Sequence, residues 1–234
     1  MKRIAIFTEG ESDMIFSSYL IKVIFGFKGI KLKYIGWTSD NSYTQNVRAE
    51  EIFGNIQIEF TLINVGNDKR VVNKLKENAN FMLNSGYNQI FGIRDLGSQE
   101  YDKMAGGKID STIIKTMVSN TRSVFSKFEH VNLFFAVMEL ETWYLSLTRC
   151  LAKAGYVLDS INKKIGADLT KVDPEEEFYN PKKTIKSFEA SFSETKFAHT
   201  IGSNLEKSEV ETIKNGKRVA HFVEYITALE SCKS

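Results

Sequence analysis

Acidic residues recur in this sequence where apolar segments end. The stretch IAIFTEGESD, Ile4 to Asp13, runs through apolar or small residues into Thr8 and then sets Glu9, Glu11 and Asp13 within five positions. Asp95 follows a second apolar segment, and Glu139 and Glu141 follow a third. Carboxylates gathered within a few ångströms repel one another by roughly 1 to 4 kcal/mol per pair, depending on how wet the site is. Something must neutralise them. A hard divalent cation does so with oxygen ligands, keeps part of its water shell and bridges to phosphate. The pattern therefore points to Glu9, Asp95, Glu139 and Glu141, with Asp13 one helical turn beyond Glu9, as ligands of Mg²⁺ or Mn²⁺.

Such convergence needs a particular scaffold. Arg3 to Thr8, Ile30 to Trp37, Gln57 to Val65, Gln89 to Arg94 and His130 to Met138 read as strands, and Asp13 to Phe25, Asp68 to about Asn84 and about Ile109 to Phe128 as helices. Gln45 to Phe53 reads as a short helix, Gly97 to Gly107 as a loop, and Glu139 to Trp143 as the opening of a further helix. Alternating strands and helices of this length imply an α/β fold with a mainly parallel sheet and helices on both faces, its ligand site outside the carboxyl ends of the strands. Beyond Gly155 the chain is more charged, holds both prolines, Pro174 and Pro181, and ends in helices, the clearest spanning Arg218 to Leu229. The expected organisation is an α/β domain over 1–155 and a helical extension over 156–234 packed on it.

Composition narrows the function classes. With 234 residues, 42% of them hydrophobic, the chain can bury a substantial core. Its 31 Lys and Arg against 29 Asp and Glu leave a formal charge of +2, so any polyanion site must be local. The first apolar run ends at Glu9, too short for a signal peptide, and no apolar stretch approaches the length that crosses a bilayer, which predicts a cytoplasmic protein without membrane contact. Cys150 and Cys232 lack metal-ligand spacing and read as reduced core thiols. No phosphate-binding loop or dinucleotide fingerprint occurs.

The same residues carry a resemblance. Thr8-Glu9-Gly10-x-Ser12-Asp13 after an amino-terminal strand resembles the first motif of the Toprim fold, whose glutamate closes the first strand. ELETW, Glu139 to Trp143, resembles a family of bacterial Toprim-like proteins whose relatives include OLD-type nucleases and RloB-like defence proteins; NPKK, Asn180 to Lys183, and the HFVEYITAL helix are similar to that family's carboxyl-terminal region. The resemblance implies a Toprim-like sheet that binds Mg²⁺ or Mn²⁺ and processes phosphodiester bonds, in a phage-defence setting. It gives Glu9 a catalytic role as general acid/base alongside metal binding, and it matches Asp95 to the first acid of an Asp-x-Asp motif. Here that motif reads Asp95-Leu96-Gly97, without its second acid, so either Asp102, Glu100 or the Glu139/Glu141 pair supplies the missing oxygen, or metal binding is weakened and the protein is not a competent nuclease. In that reading Arg94, Lys69 and Arg70, with Lys103 and Lys108, are the candidates for phosphate contacts.

Each residue also has a plainer role. Acids at a helix amino terminus gain ~0.3 to 1 kcal/mol from the dipole, Asp95 can cap a turn before Gly97, Trp143 suits a core, and Lys69, Arg70 and the lysines of NPKK suit a solvated face. Three classes of function follow. The chain is a metal-dependent nuclease, a non-catalytic module binding nucleic acid or a nucleotide on a Toprim scaffold, or an interaction subunit that docks a partner protein or a second copy of itself.

Overall fold

The computed structural model describes residues 1–36, 47–66, 68–97 and 99–233, without the side chains of residues 68, 69, 99 and 100. Among them, strands β1 (Lys2–Thr8), β2 (Ile30–Gly36), β3 (Val47–Phe53), β4 (Ile58–Asn64), β5 (Gln89–Asp95) and β6 (Val131–Ala136) form one sheet in the order β3-β2-β4-β1-β5-β6. β1 pairs in parallel with β4, from Lys2↔Ile58 to Thr8↔Asn64, and with β5, from Ile4↔Gln89 to Phe7↔Gly92. β2 also runs parallel to β4. Beside β5, the amides of Ile90 and Leu96 donate to the carbonyls of His130 and Ala136 at 2.8 and 3.0 Å, and the two numbers rise together as in a parallel pair. β1 and β4 are near-continuous apolar runs and are buried along almost their whole length, as strands covered on both faces must be. The expected α/β class with a mainly parallel sheet is what forms.

One segment changes type. The part of Gln45 to Phe53 that is described, Val47–Phe53, is strand and not helix. Its Ala and Glu residues favour a helix locally, but pairing decides: β3 runs antiparallel to β2 from Ile30↔Phe53 to Ile35↔Val47. Lys31 Nζ meets Glu50 at 2.9 Å, and Lys22 Nζ meets Glu51 at 2.8 Å. Opposite charges facing each other across and behind a strand stabilise it where intrinsic propensity does not. Residues 37, 45 and 46, included in the expected strand and helix, lie outside the described residues.

The helices are α1 (Glu11–Phe25), α2 (Asp68–Asn84), α3 (Gln99–Ala105), α4 (Ser111–Ser123), α5 (Glu141–Ser146), α6 (Thr148–Lys153), α7 (Leu158–Ile165), α8 (Pro174–Glu177), α9 (Pro181–Phe188), α10 (Glu194–Ser203), α11 (Lys207–Asn215) and α12 (Ala220–Ser231). α3 lies where a loop was expected. Its residues are good helix formers, it is anchored by the fully buried Tyr101, and it stops at Gly106 and Gly107, both at positive φ. α4 begins later than expected because Asp110 Oδ1 accepts from the amides of Thr112 and Ile113 and so fixes its start. No helix among the described residues is long and apolar enough to cross a membrane. Cys150 and Cys232 are free and buried.

The chain forms two compact units, Met1–Arg94 with Val118–Phe134, and Asp95–Met117 with Phe135–Ser234. In the first, Val71, Leu75, Ala79 and Met82 recur at helical spacing on α2 and are wholly buried. Gly92 on β5 lets this packing close, since a Cβ there would stand 2.4 Å from Leu75 Cδ1 and 2.7 Å from Leu133 Cδ1. In the second unit every residue of α5 is buried, and Trp143 stacks on Phe222 at 4.7 Å. Trp143 Nε1 donates to Glu175 Oε1 at 3.0 Å. The indole is therefore a core residue.

Candidate functional site

In the first unit the acids of the opening motif take different roles. Asp13 is 6% exposed; its Oδ2 accepts from the amide of Gly10 at 3.0 Å and its Oδ1 from Ser12 Oγ at 3.3 Å, which caps α1. Glu11 Oε2 is taken by Arg48 Nη1 at 3.0 Å and by Asn64 Nδ2 at 3.1 Å. Glu9, half-buried, lies in the bend between β1 and α1. Parallel pairing of β1 with β5 is last recorded at Phe7↔Gly92, and two residues further along each strand come Glu9 and Arg94.

Arg94 is 9% exposed. Its Nη1 lies 3.5 Å from Thr121 Oγ1, while among the described residues Nε has no hydrogen-bond partner and no carboxylate pairs with the guanidinium. A guanidinium is always charged, and a buried one without a counter-ion is costly, so it invites an oxyanion. Arg70 is exposed at the start of α2, the side chain of Lys69 is outside the described ones, and Lys103 and Lys108 are exposed.

Asp95 ends β5 and is half-buried. Two residues on, the amide of Gly97 donates to the carbonyl of Met138 at 2.6 Å, and a Cβ at Gly97 would stand 2.5 Å from that oxygen. Met138 itself is left-handed, at φ 62, where the chain leaves β6. The second acid of the Asp-x-Asp pattern is thus absent for a steric reason: backbone passes where its side chain would start. Gly97→Ala is expected to destabilise the protein by about 1 to 3 kcal/mol, read as a lower urea midpoint, and Gly97→Asp would not restore the motif. Of the proposed substitutes, Asp102 accepts a hydrogen bond from Tyr179 Oη, and the side chain of Glu100 is outside the described ones.

The second unit gathers the ELETW acids around a lysine. Lys182 Nζ lies 3.1 Å from Glu139 Oε1 and 3.1 Å from Glu194 Oε1. Glu141, 2% exposed, opens α5, which makes it the most buried of the candidate acids. Burial pushes the carboxyl of Glu141 up to about 8; Lys182 opposes this, and Glu139 and Glu194 add to it. Burial pulls Lys182 toward losing its proton, but the carboxylates of Glu141, Glu139 and Glu194 outweigh it and hold the ammonium above the usual lysine range. Lys182 thus meets two glutamates, one more than its single charge neutralises. Of the two lysines of NPKK, Lys182 is therefore a half-buried ion-pair residue and not part of a solvated face, while Lys183 is exposed as expected. The Asn180-Pro181 start of α9 fixes its place: Asn180 Oδ1 accepts from the amide of Lys183 at 2.9 Å, and Pro181 sits at the first helical position.

Glu141 has a measurable signature. The folded protein holds its proton more tightly than the unfolded chain, so between the ordinary glutamate value and about 8 folding takes up a proton. In the metal-free protein stability is therefore expected to fall as pH rises through that window and to level off above it. Glu141→Gln should remove that part of the slope, read from urea midpoints across pH in the presence of chelator.

No family model matches the chain, and no curated relative matches it. Two solved structures of the C-terminal region of the Xanthomonas campestris pv. campestris OLD protein, phased with mercury and with iodine, are similar at 11% identity and a TM-score of 0.39, over 100% of this chain and 98% of that one. A superposition that loose carries no argument about this chain's chemistry.

The donor set itself can be weighed. Carboxylates alone suit a hard divalent cation. Among the described residues no three His, Cys, Asp or Glu side chains stand together as a group that could hold a metal ion. A preformed cage is thus not what these residues make, and at Glu139 the positive charge is supplied by Lys182. A cation of the Mg²⁺ kind keeps several waters and needs only one or two carboxylates together with substrate phosphate, so it asks for no such cage.

Proposed function

We propose that this chain is a Toprim-like phosphodiester-processing protein, a nuclease dependent on Mg²⁺ or Mn²⁺. The observation that carries the reading is the end of the β1/β5 pair: Glu9 follows the last residue of one strand, and Arg94, buried without a counter-ion among the described residues, is the last residue but one of the neighbouring parallel one. A carboxylate that can move a proton and a guanidinium that needs an oxyanion are what hydrolysis of a phosphodiester requires from the protein. Arg94 binds a non-bridging phosphoryl oxygen and orients the scissile bond, and Glu9 takes a proton from the attacking water. A bound divalent cation supplies polarisation of the phosphoryl group and a more acidic water. Glu9 and Asp95 would hold it in this reading, while Asp13 caps α1, Glu139 pairs with Lys182 and burial favours the protonated form of Glu141; Arg70 and Lys69 extend the phosphate contacts. The resemblance to OLD-type nucleases and RloB-like defence proteins supports this reading and is the sole support for a role in phage defence.

The test is incubation with plasmid, single-stranded DNA and RNA in Mn²⁺. The expected result is cleavage that chelator stops. A second reading, a nucleic-acid or nucleotide binding module without catalysis, is favoured by Gly97, whose contact with Met138 excludes the second acid, and by Lys182, which already neutralises Glu139. Binding without cleavage under every metal condition would select it.

A further inference from the structure

The second unit contains an open groove of about 370 Å³ that none of the candidate acids of the strand ends lines. Lys164 from α7, Glu177 and Tyr179 from the end of α8, and Lys183, Thr184 and Ser187 from α9 form its walls. Its size falls within the range of small-ligand cavities. Lys164 and Lys183 are both exposed, and among the described residues neither meets a carboxylate at ion-pair distance. Lys153, Lys171, Lys182 and Lys214 of the same unit, by contrast, have acidic partners. Within the lining two lysines stand against one glutamate, Glu177. In a chain whose formal charge is only +2, such a local excess marks where a polyanion would be taken.

We propose that this groove between α7 and α9 binds the phosphate backbone of a single-stranded nucleic acid, with Lys164 and Lys183 on successive phosphates and Tyr179 under a base. Tyr179 is half-buried and lines the groove, and its hydroxyl donates to Asp102, which fixes the ring. Stacking on an aromatic face needs an unpaired base, which selects a single strand over a duplex. Thr184 and Ser187 hydroxyls are engaged with the carbonyls of Asn180 and Thr184 and can still accept, so they line the groove without setting its charge. The amino terminus of α9 is not the anion site: Asn180 takes the amides of Lys183 and Thr184, and Pro181 has none to give. The proposal rests on the phosphodiester reading only for the identity of the polyanion.

The test is fluorescence anisotropy with short labelled DNA and RNA single strands, in chelator so that nothing is cut, across a salt series. The Lys164→Glu/Lys183→Glu double variant is expected to bind about tenfold or more weakly, with a salt slope smaller by about 1.4, roughly 0.7 for each phosphate that a lysine no longer neutralises. Glu177→Gln should tighten binding, and Lys207→Glu, an exposed lysine on α11, should leave it unchanged; all four positions are exposed, and circular dichroism checks the fold. A nucleoside monophosphate serves as the second probe. The proposal is overturned if wild type binds no single strand, if the double variant binds like wild type, or if the double variant loses only the monophosphate. Groove-dependent binding by a wild type that cleaves nothing would leave this proposal standing and remove the nuclease reading.

Discussion

Replacing Glu175 by Ala is expected to cost about 3 to 5 kcal/mol of stability, the scale on which breaking a buried charged network acts. Glu175 is 4% exposed. Its Oε1 accepts from Trp143 Nε1 at 3.0 Å and from the amide of Phe222 at 3.3 Å; its Oε2 accepts from the amide of His221 at 3.2 Å and lies 3.2 Å from His221 Nδ1. His221 and Phe222 are the second and third residues of α12, so a carboxylate from α8 does the work of an N-cap that Val219, left-handed at φ 50, cannot do. Asp173 supports the same junction by accepting from the amide of Val219 at 3.0 Å. Removing the carboxylate strands a buried indole N–H and two helix-terminal amides, each costing about 1 to 3 kcal/mol when left unmade. Glu175→Gln keeps one acceptor oxygen and should lose about half as much. Urea unfolding followed by circular dichroism measures both; a loss under about 1 kcal/mol for the alanine variant would show that water replaces the carboxylate without penalty.

Glu9→Gln is expected to reduce Mn²⁺-dependent cleavage by a factor of about 10² to 10⁴, the range that one positioned acid/base supplies. Gln keeps the shape of the side chain and one acceptor oxygen but cannot take a proton. Arg94→Lys should also be severe, since an ammonium cannot replace the planar fork that a phosphoryl oxygen meets. The two substitutions separate in kinetics: Glu9→Gln should act on kcat, and Arg94→Lys on KM as well, because the guanidinium meets phosphate before chemistry begins. Activity unchanged in Glu9→Gln would remove that residue from the reaction.

The sheet was legible because its strands are long apolar runs separated by helices with clear punctuation. β1, β4 and β5 lie within a residue or two of their expected bounds. β3 was not, because its charged residues are explained by Lys31 and Lys22, partners distant in sequence. Nor was α3, whose buried Tyr101 is fixed by Asp110 and Lys108 across a glycine pair. Among the site residues, composition marked the acids but not their partners. The capping of α1 by Asp13, the hold of Lys182 on Glu139 and the burial of Glu141 all depend on which face of a helix turns inward. Of the three glutamates after Pro174, nothing local distinguishes Glu175 as the one that the distant Trp143 and α12 require. Gly97 was legible as a departure from a pattern, and its reason appears only when Met138 is brought against it.

Calorimetric titration of the chain with Mn²⁺, alongside its Glu9→Gln and Asp95→Asn variants, tests the central claim most directly. Heat of binding by the wild type that each substitution abolishes or weakens at least tenfold is the expected result. Binding of equal strength in all three proteins, or none in any with single-stranded oligonucleotide present, would contradict it.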